Sequence, residues 1–505
     1  MDLLHNIALG FLQVSQPEVL LLTVIGTAVG ILVGAIPGLS ATMAVAVGVP
    51  ITFSMDTMPG LALLISLYVG GLTGGLISAI LLKIPGTPAS IATTYDGYPM
   101  AARGEPGKAL GYGVVASFLG GGFSYLVLFT VAPFVAEQAV KLGPFEIFSI
   151  VMCALVMIAD TSQGSLLKAL IAGLFGIVIS MIGPDPITGT RRLTFGIAEL
   201  RAGFAETSVL IGLFAISQLL ADIPSVKDAL PDFKVSQRHI LPSLKDLRES
   251  LRNIIRSAAI GTAIGIVPGV GATTASIIAY NQAKNASKTP EKFGTGIKDG
   301  IIASETANNA VSGGAMVPLL TLGLPGCPVA ALLLSGLIVK DLTPGPALFS
   351  SNPEVVYGFF IAFIFANVAM LLLMLTLIKP FAMVLKIPKY LLIPPILALC
   401  AIGAYISNNR ILDIWVLLGF GIFGYLADKR GYPMGPLVLG IILGPIAELN
   451  LRRGLTGSGD SFMPLFTRPV SLIFLLIAAV ILIMPFYKTW RARSRTSMTS
   501  VQEDK

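Results

Sequence analysis

A short Pro-Gly-centred pattern occurs twice in this chain, as Gly30-ILV-Gly34-AIPGLSATMA and as Gly261-TAI-Gly265-IVPGVGATTA. Pro37 falls on Pro268 at an offset of 231 (268 − 37), which also superposes Gly30 on Gly261, Gly38 on Gly269, Ala41 on Ala272 and Thr42 on Thr273. In apolar sequence each copy reads as two half-helices of roughly 13 residues meeting at a break. Each arm is then about 20 Å long, too short for a hydrocarbon core of ~30 Å. The pattern predicts a re-entrant helical hairpin used twice, and repeated broken helices are the sequence pointer to a transporter site.

The surrounding composition fixes the solvent. The chain is 54% hydrophobic and 12% charged, with a mean hydropathy of +0.84. Several uninterrupted apolar runs approach or exceed ~18 residues, the length of a spanning helix. This is the signature of an all-α polytopic membrane protein. Its 54 Gly and 33 Pro are tolerated in lipid only where protein or water re-satisfies the freed backbone groups, so the breaks should face an interior. Cys153, Cys327 and Cys400 have neither paired nor metal-ligand spacing and read as three small buried thiols. The N-terminus has no basic n-region and no convincing cleavage site, so the first membrane segment is expected to do the targeting.

The net charge of +7 is read as topology rather than as nucleic-acid binding. No Lys or Arg precedes Lys83. Basic residues then cluster at Arg103 and Lys108, from Lys227 to Arg256, from Lys284 to Lys298, and in the tail from Lys488 to Arg495. The positive-inside rule puts these in the cytoplasm and the segment carrying Asp2, Glu18 and Asp56 outside. The first hairpin, about 19 to 53, should therefore dip in from outside. The second, about 253 to 280, should dip in from the cytoplasm, so the two repeats are inverted. The N-terminus is expected in the periplasm and the C-terminus in the cytoplasm.

A second element follows each hairpin: GGLTGGLISAILLKIPGTPAS from Gly70 and SGGAMVPLLTLGLPGCPVAAL from Ser312. Pro removes an amide donor and Gly adds backbone freedom, so each Pro-Gly-x-Pro should unwind or kink its helix. The segment 310 to 339 reads as one crossing broken near mid-depth. Scaffold spans are expected at about 110–136, 145–160, 164–183, 207–221, 354–378, 390–407, 411–427, 432–447 and 469–487. The domain reading is a first inverted repeat with scaffold helices (1–221), a cytoplasmic linker (222–250), a second repeat with scaffold helices (251–487) and a basic cytoplasmic tail (488–505).

Broken helices offer free amides to anions and free carbonyls to cations. The hairpin tips supply Gly38, Ser40 and Thr42 in one copy and Gly269, Gly271, Thr273 and Thr274 in the other, with hydroxyls suited to a carboxylate or Na⁺. The blander reading makes these caps and small packing residues. The breaks supply Gly86 and Thr87, and Gly326. In Ser304-Glu305-Thr306-Ala307-Asn308-Asn309, Asn308 and Asn309 offer amides to substrate and Glu305 offers a site for a proton or cation. The alternative leaves Glu305 in water on an interfacial helix. Carbonyls freed by Pro37 and Pro268 are further candidates for a coupling cation. Lys83 either pairs with a substrate carboxylate or snorkels to a headgroup, and Asp96 is expected to anchor the loop that follows it.

The Pro-Gly tips, YDGYPMA at 95 to 101, ETANNAVSGG at 305 to 314 and the LTLGLPGCP break occur in an order that resembles the large membrane subunit of the tripartite tricarboxylate transporter family. The resemblance covers essentially the whole chain. It implies a secondary transporter of the bacterial inner membrane, working with a small four-helix membrane subunit and a periplasmic solute-binding protein that delivers a carboxylate such as citrate. Similarity to elevator-type carriers implies coupling to Na⁺ or H⁺ and motion of the hairpin-bearing region against a fixed scaffold. No other cofactor and no enzymatic activity are implied. Lys83 stands where the family leads one to expect a neutral residue such as Asn, which points to a substrate preference different from citrate.

Two other classes compete. Tyr95-Asp96 and Gly457-Ser458-Gly459-Asp460 superficially match the two motifs of intramembrane aspartyl proteases, but Asp460 lies in a polar loop among Arg452, Arg453 and Arg468. With only His5 and His239, neither in a span, an intramembrane zinc enzyme fits less well still. A channel lined by re-entrant hairpins would leave the inverted duplication unexplained.

Overall fold

The computed structural model describes residues 3–161, 165–225 and 240–484. The basic tail from residue 488 and residues 226–239 of the 222–250 linker, with Lys227, Lys234 and Arg238, lie outside the described residues.

In chain order the first helices are α1 (Leu3–Val14), α2 (Pro17–Ala35), α3 (Ala41–Ile51), α4 (Thr57–Leu82), α5 (Thr93–Ala102), α6 (Pro106–Ala139), α7 (Pro144–Thr161) and α8 (Leu166–Ser180). Strands β1 (Gly183–Pro184) and β2 (Arg191–Arg192) form a short antiparallel hairpin. Then come α9 (Glu206–Ile211), a π-helical turn at Gly212–Ile216, and α10 (Ser217–Asp222). The next are α11 (Leu244–Ile266), α12 (Gly271–Asn285), α13 (Lys298–Leu322), α14 (Pro328–Val339), α15 (Leu348–Ser351), α16 (Pro353–Met383), α17 (Lys389–Asn408), α18 (Ile411–Lys429) and α19 (Met434–Gly457). Two further helices are α20 (Met463–Thr467) and α21 (Pro469–Met484). Among the described residues, eight helices are long and apolar enough to cross a membrane. The chain is an all-α polytopic membrane protein, and the expected scaffold spans fall on α6 to α10, α16 to α19 and α21.

Contacts divide the chain into two compact units, one over Met1–Val140 and Phe204–Arg430, the other over Lys141–Gly203 and Gly431–Lys505. In the second unit the β-hairpin is braced by alternating charges. Arg192 pairs with Glu448 at 2.5 Å and with Asp185 at 3.2 Å, and Arg452 reaches Asp185 at 2.5 Å and Glu448 at 3.2 Å.

In the first unit α4 is buried from Met58 to Leu82, and α13 from Gly300 to Thr321. Neither helix offers a face to lipid over those stretches; together they are the axis around which the hairpins pack. α2 and α3 pack on α4, while α11 and α12 pack on α13. The two hairpins turn by the same chemistry. Proline disfavours helical geometry in the residue before it. Ile36 before Pro37 and Val267 before Pro268 are extended, with ψ of 119° and 116°. Gly38 and Gly269 then take φ of +95° and +87°, open to glycine and strained for most other residues.

The arms differ from the expected half-helices of roughly 13 residues. The arms entering the turns have 19 and 23 residues, and those leaving have 11 and 15. Pro17 at the first turn of α2, and Ser243 capping α11 by accepting from the Asp246 amide at 3.1 Å, start the entering arms earlier.

The Pro-Gly-x-Pro segments also differ from a mid-helix kink. α4 and α13 run unbroken to their ends, where Lys83 (φ 60°) and Gly323 (φ 69°) are left-handed caps. The chain then doubles back. The Gly86 amide donates to the Gly75 carbonyl at 3.3 Å, and a β-carbon on Gly326 would lie within 3.7 Å of the Ala315 backbone. The segments unwind, as the Pro and Gly spacing suggested, but the left-handed caps reverse the chain before the prolines act, so neither is a kink within one continuing helix.

Candidate functional site

The site begins where each hairpin turn meets its break. A β-carbon on Gly86 would strike the Gly34 carbonyl, and one on Gly326 would lie 3.0 Å from the Gly265 carbonyl. The Gly269 amide donates to the Gly326 carbonyl at 2.8 Å. Close approach recurs along the helices: Gly30 abuts the Leu67 carbonyl and Gly261 that of Ala307, and Gly34 abuts Gly71 as Gly265 abuts Val311. Each hairpin residue is 231 positions from its counterpart (265 − 34), and each residue of the following helix and break 240 (326 − 86).

The two halves join at the crossing of α4 and α13. Thr73 Oγ1 donates to Asn309 Oδ1 at 2.8 Å, with both residues buried. On one side of this crossing lies the first break, where Gly75 leaves room for Thr87, whose hydroxyl is 3.3 Å from that of Ser90. On the other side lies the second break, where Cys327 Sγ is 3.8 Å from Tyr68 Oη. Tyr68 and Gly75 are seven residues apart on α4, about 10 Å along the helix.

Glu305 is completely buried, so the reading that leaves it in water is set aside. Oε1 accepts from Thr93 Oγ1 at 2.5 Å, and Oε2 from Ser117 Oγ at 3.2 Å and Asn308 Nδ2 at 3.4 Å. Thr93 opens α5, Ser117 lies on α6, and Glu305 and Asn308 lie on α13, so three helices build this cluster. Among the described residues no cation pairs with Glu305. An ionised carboxylate so placed costs on the order of several kcal/mol even after relaxation. Asn309 Nδ2 donates back to the Glu305 carbonyl at 3.2 Å, and the buried Asn308 Oδ1 has no hydrogen-bond partner.

Asp96 anchors a loop, though not the one that follows it. Oδ1 accepts from the amides of Gly294, Gly296 and Ile297 at 2.7 to 2.9 Å, and Oδ2 from Tyr280 Oη at 2.9 Å. Arg103 adds a hydrogen bond to the Gly296 carbonyl. The YDGYPMA segment thus holds the entry to α13. In the other direction, Lys340 after α14 donates to the carbonyls of Thr52 (2.6 Å) and Met55, just after α3. Each half therefore clamps the loop leaving the other half's hairpin.

Of the residues singled out by sequence, the structure brings Gly86 to the first turn, Gly269 to Gly326, and Asn309 to Thr73. Ser40 caps α3, accepting from the Met43 amide at 3.2 Å. Thr42, Gly271, Thr273 and Thr274 are half-buried at the starts of α3 and α12. Lys83 is exposed, its Nζ 5.8 Å from the centre of the Tyr98 ring. Tyr68, Thr73, Thr93 and Ser117 escaped sequence reasoning. The available signal was a hydroxyl in an otherwise apolar or glycine-rich helix, most visible for Thr73 in GGLTGG.

Comparison with known proteins adds an independent line. A model of the tripartite tricarboxylate transporter TctA family matches residues 20–439. An uncharacterized 52.8 kDa protein in the TAR-I ttuC' 3'region of Agrobacterium vitis is 34% identical over 504 residues, 100% of both chains. An uncharacterized protein in the TAR-II ttuC' 3'region of the same organism is 34% identical over 244 residues, 48% of this chain and 100% of that one. No solved structure matches.

Proposed function

This chain belongs to the tripartite tricarboxylate transporter TctA family, and we propose that it is the permease subunit that imports a tricarboxylate or related carboxylate by cation-coupled alternating access. In this reading the breaks at 85 to 88 and 325 to 328 and the tips at 37 to 42 and 268 to 274 enclose the carboxylate. The carrying observation is the pair of turn-to-break contacts, Gly34 with Gly86 and Gly265 with Gly326, on either side of Thr73 and Asn309. Backbone groups freed at helix ends would replace the hydration of a carboxylate there without a full counter-charge.

A structural repeat is the economical account of contacts that correspond pair by pair at constant offsets, and its inversion rests on the charge asymmetry of the flanking loops. The reciprocal clamps from Arg103 and Lys340 support motion of both hairpins and both breaks as one body, as an elevator requires. The proposed setting is the bacterial inner membrane, N-terminus periplasmic and C-terminus cytoplasmic. The proposed partners are a small four-helix membrane subunit and a periplasmic solute-binding protein.

The test is counterflow of radiolabelled citrate and a panel of di- and monocarboxylates in proteoliposomes holding this chain and the small subunit. Saturable exchange of one acid, with KM raised by Thr87→Val and Asn309→Ala, is expected. Unsaturable flux unchanged by either substitution contradicts the proposal.

A further inference from the structure

Glu305 is a fully buried carboxylate with three neutral donors and, among the described residues, no cation. The charged groups on the elements packed around it are either engaged elsewhere or exposed. Asp96 of α5 takes the amides of Gly294, Gly296 and Ile297, and Arg103 donates to the Gly296 carbonyl. On α6, Lys108 pairs with Glu105 and Glu137 is exposed. On α13, Lys298 pairs with Asp246 and Glu249, and Asp299 accepts from Ser250 and Asn253. On α11, Arg256 donates to Asn253 and Lys245, Arg248 and Arg252 are exposed, while α4 carries no charged side chain. Beside Glu305 sits a second feature, the Asn308 amide, fully buried, with Nδ2 on Glu305 and Oδ1 unpartnered. Turning that amide over would bring an acceptor against the carboxylate. Either a cation held between the two or a proton on the carboxyl makes that arrangement favourable.

We propose that Glu305, Thr93, Ser117 and Asn308 form a site for a small monovalent cation that neutralises the buried carboxylate, and that Thr93 links its occupancy to the first break. The site takes carboxylate, hydroxyl and amide oxygens, ligands suited to a hard ion; a proton on Glu305 would meet the same need. Its location is the junction of α5, α6 and α13, not the hairpin turns. Thr93 follows Thr87 by six residues in the segment that doubles back against Gly75, so a ligand that holds Thr93 also holds that segment. This deepens the coupling part of the transport reading and rests on it for its purpose, but cation binding itself is measurable without any carboxylate.

The experiment is the thermal midpoint of the full chain in nanodiscs, first with NaCl replacing choline chloride at constant ionic strength and pH. A second series varies pH without Na⁺. A saturable rise with Na⁺ identifies the metal ion as occupant, and a rise on acidification alone identifies the proton. Either supports the site if Glu305→Gln, which holds a neutral group there, abolishes it. Ser117→Ala, a milder change, should weaken the apparent affinity about tenfold, the equivalent of one lost hydrogen bond, and carries the test should Glu305→Gln fail to fold. A response unchanged in both variants, or no response in the native chain, overturns the site. For the link, Thr87→Cys should react more slowly with maleimide when the cation is bound, over a background of three buried native cysteines. Labelling indifferent to the cation overturns the link.

Discussion

Thr73 and Asn309, 236 residues apart in the chain, share a hydrogen bond of 2.8 Å at the crossing of two buried helices. That bond ties the halves between the two breaks. Because α4 and α13 expose almost nothing, the pair has no water to exchange with. Removing one partner strands the other.

The first prediction concerns that bond. Thr73→Val and Asn309→Ala each lower the thermal midpoint, and a double-mutant cycle returns a coupling of about 0.6 kcal/mol, at most ~1.7, the range of hydrogen bonds within membranes. Additive losses would mean the bond contributes nothing to joining the halves.

Corresponding glycines should respond alike. Gly34→Ala and Gly265→Ala each place a β-carbon on a neighbouring carbonyl, with a cost of about 1–3 kcal/mol typical of overpacking. Gly419→Ala in α18, where a β-carbon meets nothing within 4 Å, should be neutral or stabilising by up to ~1 kcal/mol. Chemical or thermal denaturation of the three variants compares them directly.

Lys83 offers a test of its own. It holds the left-handed cap that Gly323 provides in the other half, a conformation costing most residues roughly 1–2 kcal/mol. Lys83→Asn should therefore raise stability by up to about 1 kcal/mol, since Asn tolerates this geometry, and leave the profile of transported acids unchanged. A changed profile would make Lys83 a substrate contact, as the family resemblance suggested.

Asp96→Ala leaves three amides and the Tyr280 hydroxyl without their acceptor. A loss of about 3 kcal/mol or more is expected. Asp96→Asn, which retains an acceptor oxygen, should lose less. Hydrogen exchange at 294 to 297 should rise in the first variant and only modestly in the second.

Acid should loosen the β-hairpin of the second unit. The Thr188 amide first, then Arg452, holds the Asp185 carboxyl well below its usual range. Depressed carboxyls contribute stability that is complete above their unfolded values, near 4, and is lost as pH falls through the folded ones. Exchange of the amides at 187 and 188 should therefore be unchanged from pH 7 to 5 and accelerate below about 4, after correction for intrinsic rates. Uniform protection down to pH 2 would contradict this.

Much of the architecture was legible because proline and glycine act locally. Pro37 and Pro268 fix the residue before them and Gly38 and Gly269 the one after, so both turns could be placed from sequence. Where the chain goes after Leu82 and Leu322 could not. That depends on the left-handed caps at Lys83 and Gly323, and nothing in a lysine announces one. The hydroxyl partners were equally hidden. Thr93 and Ser117 acquire their role only when α5 and α6 are brought against α13, and Asp96 holds a loop almost two hundred positions downstream.

The measurement that tests the central claim most directly is uptake of radiolabelled citrate and the acid panel into proteoliposomes containing this chain and its small subunit. It is made with and without the binding protein and an imposed Na⁺ or proton gradient. The account predicts concentrative uptake of one class of carboxylate that requires both the binding protein and the gradient. Passive flux indifferent to both, in folded and assembled protein, would contradict coupled transport and favour a channel.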